Sequence, residues 1–316
     1  MSAETRFIAA LRALVTDPAA RGLSDDAAVL TPPPGQDLAV THDMLAEGVH
    51  YLPTDPPGDV AWKLLAVNLS DLAAKGARPL GVVMGFTLRD DSEWDDAFVA
   101  GLGRALLHFD VPLLGGDTVH TRGPRVLGLT AIGAVPHGGA PARSGAVAGD
   151  DLWLTGTVGD AGHGLAVALG DASESPELVD SFRRPEPRLA AGVALAPFAH
   201  AMMDVSDGLL IDSGRMAVAS GARIEIDLDS LPLSPLYVEA RGDDQYARLF
   251  AATAGDDYEL LMVAPPTERD AIVATGRSLG LAITRIGVVT AGLGVALHDG
   301  EGEVTLPDRL GYEHGA

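Results

Sequence analysis

Glycine and proline interrupt this chain at short intervals, 38 and 21 times respectively, and break its apolar residues into short runs. Runs such as VVMGF at 82–86 and LLMV at 260–263 have the length and branching of buried strands. Between them lie helical patterns. The clearest covers 59–75, where Asp59 is a capping residue, Trp62, Leu65, Leu69 and Leu72 or Ala73 form a stripe, and Gly76 with Pro79 ends the element. A second helix is predicted from about Leu209 to Ser220, stopped by Gly221, and is followed by the strict alternation of RIEIDL at 223–228. Near the N-terminus Phe7, Ile8, Leu11, Leu14 and Val15 recur at helical spacing. The expected class is therefore mixed α/β.

At 316 residues the chain is long for one domain. Its stretch richest in Gly, Pro and Ala, 135–149, divides two halves that each hold strands and helices. Domains are expected at 1–137 and 138–316. Charge narrows the partners: 22 Lys+Arg against 44 Asp+Glu leave −22, so nucleic acid and anionic lipid are repelled. No cysteine is present, which removes disulfides, thiolate metal sites and cysteine nucleophiles. With no apolar run of membrane-spanning length, a cytoplasmic protein without membrane attachment is expected.

Carboxylates recur in short contexts flanked by Gly or Ser: SDD at 24–26, THD at 41–43, NLSD at 68–71, GGDT at 115–118, DVSDG at 204–208 and GDD at 255–257. Hard-oxygen clusters of this kind suit Mg²⁺, although each taken singly also fits a turn or a helix cap. The run VPLL at 111–114 leads into GGDT as a strand into a phosphate-binding turn, with Asp117 available to a metal. Likewise LWLT at 152–155 leads into a glycine-rich stretch at 156–164 before a helix starting near Leu165. That pattern fits an anion-binding helix N-terminus, and equally close packing of the helix on a sheet. Asn68, Asp71 and Lys75 share one helix face, where an Asp71–Lys75 ion pair is the plain reading. An EF-hand starting at Asp204 fails because its twelfth position is Arg215. HExxH, GxSxG, HRD and DFG signatures are all absent.

In order, nine segments resemble the thiamine-monophosphate kinase family, within the ATP-binding superfamily that includes aminoimidazole ribonucleotide synthetase. They are SDD at 24–26, THDML at 41–45 with His50, AVNLSDLAAKGA at 66–77, LGGDT at 114–118, RSG at 143–145, LTGTVGD at 154–160, DVSDG at 204–208, GDDYEL at 255–260 and GYEH at 311–314. The resemblance implies an N-terminal α/β domain whose sheet pairs with that of a second subunit in a homodimer, and a C-terminal α/β domain. It also implies ATP, magnesium and substrate in a cleft. Asp26, Thr41, Asp43, Asp71, Asp117, Asp204 and Asp207 match magnesium-ligand positions, with Asp43, Asp117 and Asp207 central to catalysis. Gly116, Asp117, Arg143 and Ser206 match nucleotide positions, and His50, Asp256 and Tyr312 match substrate positions. Three positions depart from the family pattern: Ser24 where a Gly is usual, His42 where a hydroxyl is usual, and Asp256 where a Glu is usual.

The implied reaction joins two polyanions on a protein of charge −22, so divalent metal must supply the neutralisation. Its acceptor, a phosphate monoester with a second pKa of about 6, is already a nucleophile at neutral pH. No general base is required, in keeping with the lack of a His or Lys base among the motifs. Other ATP-dependent members of the superfamily are the rival enzymatic reading, against which the missing cysteine argues for the selenophosphate and hydrogenase-maturation types. An acidic scaffold that binds ions or a partner protein is the non-enzymatic rival.

Overall fold

The expected alternation of strands and helices is realised in two units, seen in a computed structural model that describes residues 2–313 and Gly315. One unit takes in the chain up to Leu72 and Ala77–Gly138, the other Ala73–Gly76 and the chain from Gly139 onward.

The first unit contains α1 (Ala3–Arg12), β1 (Gln36–Ala46), α2 (Pro57–Ala73), β2 (Arg78–Leu88), α3 (Ser92–His108), β3 (Leu113–His120) and β4 (Val126–Pro136). Its four-stranded sheet runs β1-β4-β2-β3, with β4 antiparallel to β1 and β2, and β2 parallel to β3. Leu65, Leu69 and Leu72 of α2 are fully buried, as the predicted stripe requires. Phe86 of β2 stacks on Phe7 at 4.2 Å and meets Phe98 of α3 at 4.9 Å. Each such side chain contributes ~1.5–3 kcal/mol on burial. Helix α2 begins two residues earlier than its pattern suggests, because Pro57 has its φ pre-set for a first turn, and Asp59 falls inside that turn. It ends at Ala73, and the turn after it closes at Gly76, whose φ of +61° is left-handed and whose neighbour Ala77 returns its N–H to Leu72 O at 2.9 Å.

In the second unit are β5 (Asp151–Thr155), α4 (Asp160–Leu169), α5 (Pro176–Arg183), α6 (Leu189–Leu195), β6 (Ala201–Val205), α7 (Leu209–Ser220), β7 (Arg223–Asp227), α8 (Pro235–Arg241), α9 (Gln245–Thr253), β8 (Glu259–Ala264), α10 (Arg269–Leu279), β9 (Ile283–Thr290), β10 (Gly294–Asp299) and β11 (Gly302–Val304). These strands form one sheet in the order β11-β10-β7-β9-β5-β8-β6. Only the β7–β10 pair is parallel; every other pair is antiparallel. Strands β5, β6 and β8 are buried on both faces, which accounts for the continuous apolar runs LWL, AMM and LLMVA within them. Helix α7 and strand β7 fall where their patterns put them. No helix among the described residues is long and apolar enough to cross a membrane.

Two local readings are corrected. GGDT at 115–118 is not a turn but the middle of β3, an edge strand. The register against β2 shifts between Val82 and Val83, and a Cβ on Gly116 would lie 2.3 Å from Met84 O. Glycine here lets two strands approach, and pairing with β2 keeps the segment extended. The second correction concerns α4, which starts at Asp160 rather than near Leu165, so Gly162 and Gly164 lie inside it. A Cβ on Gly162 would lie 2.3 Å from Ala254 Cβ, and one on Gly164 only 1.8 Å from Leu178 O. Helix packing is the reason for both.

Candidate functional site

Strand alternation puts Thr41 and Asp43 on the half-buried face of β1 and His42 on the exposed one. Helix spacing sets Asn68 and Asp71 on one face of α2. These two faces meet. Thr41 Oγ1 donates to Asp71 Oδ2, and the Asp43 N–H donates to Asn68 Oδ1 at 2.9 Å. Asn68 is fully buried and its Nδ2 donates to Leu64 O at 2.9 Å, which fixes the amide and with it the path of β1. His42 instead shares a hydrogen bond with Thr130 Oγ1 of β4 at 2.9 Å, away from the acids.

Asp26 and Asp117 come together along a cavity of about 210 Å³ that Gly116, Leu114 and Phe7 also line. Asp25 beside it is held below the usual carboxylate range by Arg21 and by the Asp26 N–H. Lys75 Nζ donates to the carbonyls of Pro141 at 3.2 Å and Met202 at 3.4 Å. His50 follows β1, and the Ala46 N–H donates to its Nδ1 at 3.0 Å, so the neutral ring carries its proton on Nε2.

In the second unit three segments converge at the C-terminal end of β6. Asp204 is buried near that end, and Ser206 and Asp207 form the turn into α7. The Asp256 N–H donates to Ser206 O at 2.8 Å, the Tyr258 N–H to Val205 O at 2.8 Å, and the Tyr312 N–H to Asp207 O at 2.9 Å. Asp256 and Tyr258 have φ of +69° and +51°, a left-handed backbone that costs side-chain-bearing residues about 1–3 kcal/mol. Backbone bonds to the 205–207 turn hold them there, and Tyr258 Oη donates to Asp256 Oδ1 at 3.0 Å. Ser206, Asp207, Asp256 and Tyr312 thus form one cluster. Arg143 stands elsewhere: its neighbour Ala142 accepts from the Met202 N–H at 2.9 Å, so Arg143 lies at the opposite end of β6 from Ser206. The fourth residue of GYEH, His314, lies outside the described residues.

Sequence reasoning missed Asp212 and Arg215. Asp212 is fully buried, and its Oδ2 accepts the N–H groups of both Ser206 and Asp207 at 3.1 Å. Arg215 Nη1 reaches Asp212 Oδ1 at 2.6 Å and Asp207 Oδ2 at 2.5 Å. Burial pushes the Asp212 carboxyl up while Arg215 draws it down. Their legible signal is the i,i+3 spacing on α7 after an acid-bearing turn. Asp257 is also structural: the Gly159 N–H donates to its Oδ1 at 2.9 Å, so the start of α4 is occupied by a carboxylate of its own chain. Burial of its carboxylate, whose Oδ2 has no hydrogen-bond partner among the described residues, holds Asp257 well above the ordinary carboxylate range. Among the described residues no three His, Asp or Glu gather into a metal-binding group.

Residues 24–135 match the family model of the AIR synthase related protein N-terminal domain, and 147–300 that of the C-terminal domain. The thiamine-monophosphate kinase of Caulobacter vibrioides is 41% identical over 305 residues, which cover 95% of this chain and 86% of that protein. A solved thiamine-monophosphate kinase from Stenotrophomonas maltophilia K279a superposes with a TM-score of 0.83 at 41% identity, covering 94% of this chain and 96% of its own. The structure of AaThiL complexed with AMPPCP and TMP gives 0.77 at 29% identity, over 92% and 91% of the two chains. With both domain models matched in order and relatives aligned over most of their length, this chain belongs to the thiamine-monophosphate kinase family of AIR synthase related proteins.

Proposed function

We propose that this protein transfers the γ-phosphoryl group of ATP to thiamine monophosphate, giving thiamine diphosphate and ADP. The observation that carries this reading is the likeness over nine-tenths of the chain to a protein solved with AMPPCP and TMP together. A phosphate oxygen of the acceptor forms the new bond to the γ-phosphorus, and the bond from that phosphorus to the β–γ bridging oxygen breaks. The acceptor is a dianion above about pH 6, so alignment and charge neutralisation suffice.

The donor set fits Mg²⁺. Thr41, Asp43 and Asp71 offer hard oxygens across β1 and α2, while no three acids converge among the described residues. Each ion would take one or two of this chain's carboxylates, with water and phosphate oxygens completing its shell. Asp26, Thr41, Asp43, Asp71 and Asp117 from the first unit, with Asp204 and Asp207 from the second, are the proposed ligands. When bound, the metal supplies neutralisation of the facing polyanions. Gly116, Asp117, Arg143 and Ser206 are assigned to the nucleotide. His50, Asp256 and Tyr312 are assigned to thiamine monophosphate. Arg215 holds Asp207 in place until a cation competes for it.

A homodimer formed through the N-terminal domain (1–137), with 138–316 as the second domain, completes the proposal. It is supported by the outer face of β1 and β4, where Leu38, Val40, Met44 and Val126 are 44%, 64%, 52% and 39% exposed. The cytoplasm, where ATP is made available, is the proposed compartment. Assaying ADP release with thiamine monophosphate, thiamine and aminoimidazole precursors tests the function: turnover with an aminoimidazole precursor and none with thiamine monophosphate would overturn it.

A further inference from the structure

At the C-terminal ends of β1, β2 and β3 lies a cavity of about 520 Å³ that none of the residues assigned above lines. Three guanidinium groups, Arg89, Arg122 and Arg125, line it in a chain whose net charge is −22. Tyr51 and Trp94 complete its inner wall.

Arg125 is 4% exposed, and its guanidinium carbon stands 3.9 Å from the centre of the Trp94 ring. Among the described residues its Nε and Nη2 have no hydrogen-bond partner. The facing carboxylates stop short, with Asp95 Oδ1 at 3.5 Å and Asp91 Oδ2 at 3.7 Å from Nη2. Burying a cation without hydrogen bonds is costly, and a bidentate oxyanion is the partner that the guanidinium fork fits. Tyr51 is 3% exposed and its hydroxyl likewise has no hydrogen-bond partner. Burial and the nearby Glu47 charge push its ionisation up, so it remains a donor. Glu47 pairs with Arg89 but leaves Nε and Nη2 of Arg125 and the Tyr51 hydroxyl without a hydrogen-bond partner. Its Oε2 accepts from Arg89 Nη1 at 3.0 Å and from the Arg125 backbone N–H at 2.9 Å. Asp90 is 94% exposed and sits at the rim. The three guanidinium groups thus share the lining with three carboxylates, Glu47, Asp90 and Asp91, and the donors left without a hydrogen-bond partner among the described residues are Nε and Nη2 of Arg125 and the Tyr51 hydroxyl.

We propose that this cavity binds a phosphate-type oxyanion without a metal ion, Arg125, Arg122 and Arg89 neutralising it and Tyr51 donating to it. The volume exceeds what a bare phosphate fills, and suits the phosphate of a small ester. Free phosphate offers the same oxygens, so both are to be tested.

The full chain in EDTA, titrated calorimetrically with inorganic phosphate and separately with glycerol phosphate, reads the site apart from any metal-dependent one. Saturable binding with a Kd at or below about 1 mM is expected. A tenfold preference for the ester would make the ester the ligand, whereas equal or tighter inorganic phosphate would make the free anion the ligand. Arg125 is buried and its loss would unsettle the fold, so the test rests on two other positions. Arg122→Gln, at an exposed residue, is expected to weaken binding about tenfold. Tyr51→Phe removes only an unsatisfied hydroxyl, so it should leave the Tm unchanged or raise it while weakening binding about fivefold. Absence of saturable heat with either probe, or binding that both variants leave intact, would overturn the proposal.

Discussion

Asp117 stands exposed on an edge strand between Gly116 and Thr118, where its carboxylate serves no fold contact that an amide would not serve equally. Asp117→Asn should therefore fold normally yet lose about 100-fold in turnover and require more Mg²⁺, because a ligand charge is lost while its shape is kept. Steady-state rates against Mg²⁺ check this, and normal turnover at ordinary Mg²⁺ would remove Asp117 from the metal set. Asp257 tests the opposite environment. Its folded pKa is raised by burial, so the folded state holds the proton more tightly than the unfolded chain does. That contribution to stability is full below the unfolded value of about 3.9 and is lost as pH rises toward the folded value. Asp257→Asn keeps an acceptor for the Gly159 N–H and cannot ionise. Its Tm relative to the parent should climb as pH rises from about 4 to 7, and a constant difference would count against a neutral Asp257. The acids at 41–43, 68–71 and 204–207 were legible in sequence because hard-oxygen residues cluster there. Asp212 and Arg215 left only their i,i+3 spacing as a signal, since their role depends on hydrogen bonds from α7 back to the turn that precedes it.

Elements declare themselves through periodicity, and where one face is apolar the reading is dependable: α7 spans Leu209–Ser220 and β7 begins at Arg223, as their patterns require. Glycines defeat it. A glycine inside a helix and a glycine in a phosphate loop look alike in sequence, and the difference lies in what a Cβ would strike. For α4 that is the α5 backbone, so Gly164→Ala should cost about 3 kcal/mol or more by urea unfolding. Because α4 and α5 would be forced apart, relief by a rotamer change is unavailable. A cost within ~0.5 kcal/mol would show that this helix pair is not closely packed. The same reasoning explains β3, whose GGDT segment carries turn-forming residues yet is held extended by its parallel partner β2.

At the scale of the whole molecule, the strand orders were not visible in the sequence, because pairing between distant strands leaves no local signature. A strand face carrying Leu38, Val40 and Met44 toward solvent is the mark of a covered surface. Light scattering should give a dimer, and Val40→Glu, which sets like charges against each other across a two-fold axis, should shift it to monomer. A parent protein that is monomeric and active at micromolar concentration would contradict the dimer. The central claim is that the acceptor is a phosphate and needs no base. It is tested by following thiamine diphosphate and thiamine monophosphate formation with thiamine monophosphate and thiamine as alternative substrates, side by side across about pH 5 to 8, where the acceptor phosphate loses its second proton near pH ~6. The account predicts a rate with thiamine monophosphate that rises through that ionisation and then levels, and no useful rate with thiamine; comparable phosphorylation of thiamine itself would contradict it.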